Sequence, residues 1–342
     1  MSVTIEKKGI SIGRAEDNDH HDWNDLIERS PQTNPFHYRE ALEVQADHAD
    51  ATLHRLVGYK GQEPVGLFPG FEVTRGPVTT LFSPPPDLKA TYLGPALAAT
   101  DGMKRRKAER RHRRFLEGAL SYFERSSPKY VHVRTAPGFD DARTFAWNGF
   151  DRRPAYTYRV DLTRGKDALW SAVSGDARSN VRSVRDADVD CTVGVGDRGS
   201  VERILDHVAE RHAEQDERYP LTAEFLTDLY DRAPEGTVRP YVCTVDGEFA
   251  TGMIALVGAD AVYRWQGGAK PSVDLPVNDY LDWRIIEDAI EEGLDTYDLV
   301  GASTRRLTGY KAKFDPELSI HLSLERGTWY MEWAAAAYKR LR

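Results

Sequence analysis

The order of apolar and polar positions predicts that strands and helices alternate along this chain. Residues 52–59 and 65–73 are rich in strand formers, and the turn Lys60-Gly61-Gln62-Glu63 between them is typical of a hairpin. A long helix over residues 102–126 carries its apolar face in its second half, and a strand over residues 130–134 follows. The first half of the chain therefore has the predicted order α-β-β-α-β-α-β.

The second half of the chain repeats that order. The turn at residues 246–248 joins two more predicted strands, and Gly247 and Gly252 keep the five-residue spacing of Gly61 and Gly66 in the first hairpin. A repeat of nearly half the chain predicts two copies of one domain instead of a solenoid. The regular alternation of strands and helices argues against all-α and all-β folds.

These patterns predict an α/β fold with a mixed sheet in two domains. We place an N-terminal domain at residues 1–155 and a C-terminal domain at residues 156–342. The chain has 342 residues, which is enough for each half to bury a core of its own.

The segment from residue 261 to residue 314 holds the densest set of candidate functional residues. A strand over residues 261–266 ends at Gly267-Gly268, and a helix is predicted over residues 277–292. A short buried strand at residues 296–300 then leads into a helix that contains Lys311. The predicted order of this segment is β-loop-α-β-α.

Composition restricts the class of protein. The mean hydropathy is −0.56, and the sequence has no apolar run long enough to span a bilayer, so we expect no integral membrane segment. The N-terminal residues lack the apolar core of a signal peptide, which favours the cytoplasm. The net charge of −8 argues against a protein that coats nucleic acid, so we expect no DNA partner.

Cysteine and histidine positions give no metal or disulfide pattern. Cys191 and Cys243 lie in predicted strands without partners at metal-ligand spacing, so we expect buried small side chains and no disulfide framework. The ten histidines include no HExxH pair or similar arrangement. We therefore predict no metal site.

The predicted helix at 102–126 begins with a strongly basic run over residues 104–114. Three interpretations stay open: the run binds the phosphates of tRNA, it binds an anionic membrane surface, or it is a solvated helix face.

Several short segments, most of them after residue 156, occur in an order that resembles the FemAB family of aminoacyl and acyl transferases, within the GNAT superfamily. This family includes enzymes that form the interpeptide bridges of peptidoglycan. The matching segments are residues 158–162, 177–182, 218–220, 263–269, 297–302 and 309–314, together with Asn278 and Trp283.

The resemblance implies two tandem GNAT-like (acyl-CoA N-acyltransferase) domains. It implies transfer of an acyl or aminoacyl group from acyl-CoA or aminoacyl-tRNA to an amine of a small molecule or an envelope precursor, with no tightly bound cofactor. The family's tRNA-using members often carry a coiled-coil arm, and this sequence has no heptad stretch. A second hypothesis is a non-catalytic protein that binds an anionic sugar or peptide on a degenerate GNAT scaffold, because Val300 stands where relatives have glycine.

Lys311 is the candidate catalytic residue. It stands where the family places a lysine that stabilises developing negative charge, although Tyr310 replaces the usual phenylalanine. The alternative is that Lys311 and Lys313 are solvated helix residues.

The resemblance and the spacing also provide candidate ligand-binding residues. The candidates for the substrate are Arg178, Arg182, Arg218, Tyr219, Tyr263, Gln266, Asn278 and Tyr310. Arg178 and Arg182 share a predicted helical face, which suits either a clamp on a phosphate or carboxylate or structural salt bridges. Tyr263 is either a pocket residue or a core aromatic.

The candidate cofactor-binding residues are Gly267, Gly268 and Ala269. Residues 264–269 fit the pattern by which GNAT enzymes hold the pyrophosphate of acetyl-CoA with backbone N–H groups. Residues 270–276 separate them from the next helix and include two prolines, so a family loop with a coincidental sequence is the other interpretation.

Overall fold

The computed structural model describes residues 4–15, 20–28, 30–302, 305–328 and 331. These residues divide into two compact units. The first comprises the described residues of Met1–Ala155 and Ile320–Arg342, and the second is Tyr156–Ser319.

Fourteen strands lie within the described ranges. They are β1 (Ile5–Glu6), β2 (Ser11–Arg14), β3 (Thr52–Lys60), β4 (Glu63–Arg75), β5 (Val78–Ser83), β6 (Ala96–Leu97), β7 (Tyr130–Arg134), β8 (Asp151–Asp161), β9 (Cys191–Val195), β10 (Val238–Val245), β11 (Glu248–Val257), β12 (Ala261–Gly267), β13 (Thr296–Asp298) and β14 (Glu317–Gly327).

Ten α-helices are present in the same part of the chain. They are α1 (His20–Glu28), α2 (Arg39–Ala49), α3 (Arg105–Phe123), α4 (Arg143–Trp147), α5 (Lys166–Ala172), α6 (Gly175–Arg185), α7 (Arg198–Ala213), α8 (Ala223–Arg232), α9 (Val277–Glu291) and α10 (Arg305–Lys311).

The sheet of the first unit is mostly antiparallel. Strands β1 to β5 pair with their neighbours in chain order, β7 runs parallel to β5, and β14 is antiparallel to β7. The apolar side of α3 faces this sheet, and Phe115, Leu116 and Leu120 are buried in its core. The helical spacing of these residues in the sequence predicts this face.

The second unit has a mixed sheet. Strands β9 to β12 are antiparallel neighbours, whereas β13 runs parallel to β12 and antiparallel to β8. Helix α9 follows β12 and is buried on most of its surface, because Leu281, Trp283 and Ile285 all pack into the core of this unit. The ends of β12 and β13 and the start of α9 position the candidate site.

The sequence analysis placed residues 156–342 in one domain, but most of the last described strand, β14, lies in the first unit. Strand β14 belongs with the first unit from Ile320 onward, because it pairs with β7 in the register Leu324↔Val133. Leu324 is fully buried in the core of the first unit. The alternating leucine and isoleucine positions of β14 are the strand signal that the sequence analysis missed.

The repeated glycines lie under equivalent helices. A Cβ atom on Gly66 of β4 would come within 2.9 Å of the Phe115 ring of α3, and one on Gly252 of β11 would come within 2.4 Å of Ile204 of α7. A side chain would separate helix from sheet at both positions. Close helix packing therefore explains Gly66 and Gly252, whereas Gly61 (φ 63°) and Gly247 (φ 81°) supply the left-handed backbone of the two hairpin turns.

The two thiols lie close together on adjacent strands. The Sγ atoms of Cys191 on β9 and Cys243 on β10 are 3.7 Å apart, and both thiols are free. Burial raises the pKa of both. Among the described residues, no group of three or more His, Cys, Asp or Glu side chains could hold a metal ion.

Acidification should lower the stability of the first unit, because the buried His37 must then be protonated. This fully buried imidazole accepts a hydrogen bond at Nδ1 from the N–H of Asn34 (3.2 Å), and its Nε2 lies 3.3 Å from the carbonyl of Gly94. Burial lowers the pKa of His37 to about 4. Because the unfolded chain binds this proton near pH 6.5 and the folded one does not, we expect the free energy of unfolding to fall by about 3 kcal/mol between pH 6.5 and pH 4.

Urea denaturation at several pH values measures this loss. His37→Gln should give a shallower fall than the wild-type chain between pH 6.5 and pH 4. Equal slopes for the two proteins would show that His37 does not carry the effect.

Candidate functional site

A buried carboxylate at the centre of the second unit connects three elements. Asp282 of α9 is fully buried and accepts hydrogen bonds at Oδ1 from Arg264 Nε (2.8 Å) and the Tyr297 hydroxyl (2.5 Å). Its Oδ2 accepts a hydrogen bond from the Tyr310 hydroxyl (2.6 Å). Burial by itself lowers the pKa of Arg264, but the charge of Asp282 outweighs it, so the pKa is raised and the guanidinium stays charged.

Lys311 lies beside this network at the end of α10. It is 5% exposed, and its Nζ donates to the carbonyls of Val300 (2.7 Å) and Gly301 (2.8 Å). Burial and the positive charge of Arg264 lower the pKa of Lys311 to about 8. Lys311 is therefore not a solvated helix residue, and an ammonium group has one further N–H to donate.

The sequence analysis considered Lys313 together with Lys311 as a solvated helix residue. The two lysines have different environments. Lys313 is partly exposed and forms ion pairs with Asp279 (3.1 Å) and Asp176 (3.2 Å), and these carboxylates raise its pKa against the effect of burial. Asn180 of α6 also donates to Asp279, whose other oxygen, Oδ1, is buried and has no hydrogen-bond partner in the described part of the chain.

The loop between β13 and α10 presents the carbonyls that bind Lys311. Val300 has φ of 50°, in the left-handed region that a β-branched residue rarely adopts. Its N–H donates to Asp298 (2.8 Å), which is 1% exposed and also accepts from the Thr157 hydroxyl (2.7 Å). Asp298 therefore holds the loop in position, and Val300 takes a backbone conformation that glycine adopts more readily.

In the candidate pyrophosphate loop at residues 267–269, the N–H of Gly268 and the carbonyl of Ala269 have partners within the second unit. The N–H of Gly268 donates to the carbonyl of Gly252 (2.8 Å), and the side-chain amide of Asn278 donates to the carbonyl of Ala269 (3.0 Å). A Cβ atom on Gly267 would come within 2.4 Å of the carbonyl oxygen of Gly252. Close packing against β11 accounts for Gly267, whereas a Cβ atom on Gly268 would meet the guanidinium of Arg264. Asn278 orders the loop.

Two of the candidate substrate residues, Tyr219 and Gln266, contact each other next to this loop. The hydroxyl of Tyr219 donates to Gln266 Oε1 (2.5 Å), and burial raises the pKa of Tyr219. Arg218, next to it, is exposed. Tyr263 is a half-buried residue of β12 opposite Asp298 in the parallel register.

The two candidate arginines of α6 contact residues of α5. Arg178 Nη1 donates to the carbonyl of Ser171 (3.2 Å) at the C-terminal end of α5. The guanidinium of Arg182 is exposed and lies 5.7 Å from the ring centre of Trp170. Arg178 therefore caps a helix, which neither sequence interpretation anticipates, whereas Arg182 remains open to a ligand.

The basic run on α3 is not a uniform charged face. Arg111 is buried, donates to the carbonyl of Pro64 (2.6 Å) and forms an ion pair with Glu63 (2.7 Å). Arg114 donates to the carbonyl of Lys8 (2.9 Å). The exposed cations of the run are Lys104, Arg105, Arg106, Lys107, Arg110 and Arg113.

None of the helices that the structure describes has the length and apolarity to cross a membrane.

The sequence analysis missed the acidic side of this site. Asp282 and Asp279 are buried on one face of α9, three residues apart. Carboxylates repeated at that spacing within a largely apolar helix are the signal that could have revealed them, since a buried charge requires a partner. Arg264 has no comparable signal, because only the fold brings it to Asp282.

A family model matches most of the second unit and the start of β14 beyond it. Residues 171–324 match the family described as an acetyltransferase (GNAT) domain. No curated protein sequence matches the chain.

Solved structures show the same fold along nearly the whole chain. The structure of FemX has a TM-score of 0.71 at 12% identity and covers 91% of this chain and 96% of its own. The C-terminal domain of a putative lysylphosphatidylglycerol synthetase from Agrobacterium fabrum has a TM-score of 0.59 at 14% identity, covering 95% and 96%. A tandem GNAT protein from the clavulanic acid biosynthesis pathway has a TM-score of 0.54 at 13% identity, covering 95% and 98%. The tandem GNAT-like fold predicted from the sequence is confirmed.

Proposed function

We propose that this chain joins an activated acyl or aminoacyl group to an amine. Its GNAT acetyltransferase domain and its FemX-like tandem fold support an acyltransferase. The donor is an acyl thioester or an aminoacyl ester, and the acceptor is an amino group of a small molecule or an envelope precursor. The observation that carries this proposal is the buried ammonium of Lys311, held by the carbonyls of Val300 and Gly301.

Lys311 acts on the charge that develops during transfer. The neutral acceptor amine attacks the carbonyl carbon of the donor, a C–N bond forms, and the carbonyl oxygen becomes an oxyanion. The remaining N–H of Lys311 donates to that oxygen, which lowers the energy of the tetrahedral intermediate. The intermediate collapses as the C–S or C–O bond to the donor breaks. The amine proton passes to solvent when a thiolate leaves, and to the leaving oxygen when a ribose hydroxyl leaves.

The network around Asp282 changes the pKa of this lysine. Arg264 stacks 5.5 Å from the ring centre of Tyr310 and lowers the pKa of Lys311 through its own positive charge. Tyr310 stays neutral because burial and Asp282 raise its pKa, so it donates to Asp282 and does not act as a base. A preorganised donor of this kind needs little rearrangement during the reaction.

The rate of transfer should depend on the protonation of Lys311. Because its pKa is lowered to about 8, we expect kcat/KM to fall as the pH rises through about 8 and the ammonium is lost. Lys311→Arg keeps a positive charge at every accessible pH, so any residual activity of that variant should lack the fall near pH 8. The same alkaline fall in both proteins would mean that another group titrates.

Two labelled donors distinguish the donor classes. The purified chain is incubated with radiolabelled acetyl-CoA or with charged aminoacyl-tRNA and a fraction of small amines, and the labelled amide is measured. Label from acetyl-CoA would assign a thioester donor despite the internally bonded loop at residues 267–269. Label from tRNA would assign an aminoacyl ester. Amide formation from neither donor, with saturable binding of an anionic sugar or peptide, would contradict the transferase proposal.

A further inference from the structure

The first unit contains a cleft that the proposed acyl transfer does not use. Its volume is about 720 Å³, and its lining comes from α3, α4, β6, β14 and the start of β8. Every residue that lines the cleft belongs to the first unit. A cleft of this volume can hold a small organic molecule.

Part of the lining is apolar. Leu97 of β6, Leu116 of α3 and Ala142 before α4 are buried, and Leu322 of β14 is half-buried. Contact with an apolar group of a ligand would remove more of this hydrocarbon surface from water. The lining therefore favours a ligand that has an apolar part.

The charged part of the lining contains four arginines and three carboxylates. They are Arg105, Arg113, Arg143 and Arg152, with Glu109, Asp140 and Asp141. Arg143 donates to both oxygens of Asp141 (2.8 and 2.7 Å). Glu109 pairs with Arg105 (3.2 Å) and Arg143 (3.7 Å). Two of the three carboxylates are therefore already occupied by arginines of the cleft.

Arg152 is the open cation of the cleft. It is exposed at the start of β8, and no described carboxylate forms an ion pair with it. Arg113 has a long contact, at 3.7 Å, with Glu117. Burial lowers the pKa of His112, which also lines the cleft, so this imidazole adds no charge at neutral pH. Residues 104–114 carry eight lysines and arginines against one glutamate, and an excess of one charge beside a cleft concentrates ligands of the opposite charge.

We propose that this cleft binds an organic anion, whose carboxylate or phosphate group contacts Arg152 and whose apolar part contacts Leu116 and Leu322. A guanidinium offers two parallel N–H groups to such an oxyanion. The apolar lining provides nothing for a bare phosphate ion, and the arginines provide little for a neutral hydrocarbon. The proposal does not depend on acyl transfer, because Lys311 lies in the second unit.

A fluorescent organic anion tests the cleft in the full chain. Anilinonaphthalene sulfonate carries one anionic group on an aromatic body, and we expect its fluorescence to rise saturably with the wild-type protein. The bound probe is then displaced, at constant ionic strength, by octyl phosphate, octanoate, octanol or inorganic phosphate. Octyl phosphate or octanoate should act at a concentration about tenfold lower than octanol or inorganic phosphate, each of which has only one part of the ligand.

The order of displacement assigns the anionic group. Stronger displacement by octyl phosphate assigns a phosphate, stronger displacement by octanoate assigns a carboxylate, and equal displacement assigns the oxyanion chemistry that they share. Displacement by octanol or by inorganic phosphate as strong as that by the two organic anions would overturn the proposal, as would the absence of saturable binding.

Three variants connect the probe to the cleft. Arg152→Met should weaken probe binding about tenfold. Arg153→Met is the matched control, because this exposed arginine follows in the same strand, does not line the cleft and alternates to the other face of β8; it should bind the probe like the wild type. Ala108→Phe places a ring in the cleft from α3 and should abolish the displaceable signal.

The exposed position of Arg152 keeps the test decisive if Ala108→Phe does not fold. Unchanged binding by Arg152→Met would contradict the proposal. Equal weakening by Arg152→Met and Arg153→Met would contradict it too, because the probe would then respond only to the total charge of the chain.

Discussion

Replacing Lys311 by methionine should lower kcat for acyl transfer by about 10²-fold to 10³-fold, with little change in KM. Methionine fills a similar volume without an N–H donor, so the developing oxyanion loses its partner while substrate binding is largely kept. The measurement is steady-state transfer with whichever donor proves active. Because the effect acts on the transition state, it should appear in kcat and in kcat/KM to a similar degree.

A second lysine of the same unit provides the control. Lys166 forms an ion pair with the buried Glu287 (2.8 Å), which Arg185 and Arg284 also contact. Lys166→Met therefore removes a half-exposed lysine, and Glu287 keeps Arg185 and Arg284 as partners. The rate should stay within a factor of about 2 of wild type, as expected for an exposed position away from the site. Equal rates for Lys311→Met and Lys166→Met would exclude Lys311 from the chemical step.

Replacing Asp282 by alanine should reduce the free energy of unfolding by about 3–5 kcal/mol. The change leaves the buried guanidinium of Arg264 without its carboxylate, and the hydroxyls of Tyr297 and Tyr310 lose their acceptor. Urea denaturation of the wild-type and variant chains measures the difference. Activity should fall as well, because the same network surrounds Lys311.

An exposed ion pair gives the matched comparison. Asp231 pairs with Arg198 at 2.9 Å, the same kind of contact, but both side chains are about half exposed. Asp231→Ala should cost no more than about 1 kcal/mol. The double variant Arg264→Met with Asp282→Ala should recover part of the loss, because the unpaired charge is then gone. A loss at Asp282 as small as that at Asp231 would argue against a buried charge network.

The sequence predicted the parts of the fold that depend on local pattern. The hairpin of β3 and β4, the helix α9 and its glycine at position 293 all follow from short-range signals, and the repeat predicted two related domains. The membership of β14 in the first unit could not be predicted this way. A strand's partner is chosen by burial over the whole fold, and β14 pairs with β7 nearly two hundred residues earlier.

The site was predicted only where a family motif falls on it. Lys311 and Tyr310 follow from such a motif, but Asp282, which accepts from the Tyr310 hydroxyl, lies on another element. Charge balance around Arg264 arises when β12, α9 and β13 come together, so no window of sequence contains it. Arg178 shows the opposite case, because its helical spacing with Arg182 is real while its guanidinium caps the carbonyl of Ser171.

Val300 binds Lys311 through its backbone carbonyl, which accepts a hydrogen bond from the ammonium. Any residue that tolerates φ near 50° can present that carbonyl in the same way. In a saturation library selected for function, position 300 would then rank residues by left-handed backbone propensity, with glycine, asparagine and aspartate ahead of isoleucine and threonine. Size and hydrophobicity, which govern most positions of a buried site, would be poor guides to this one.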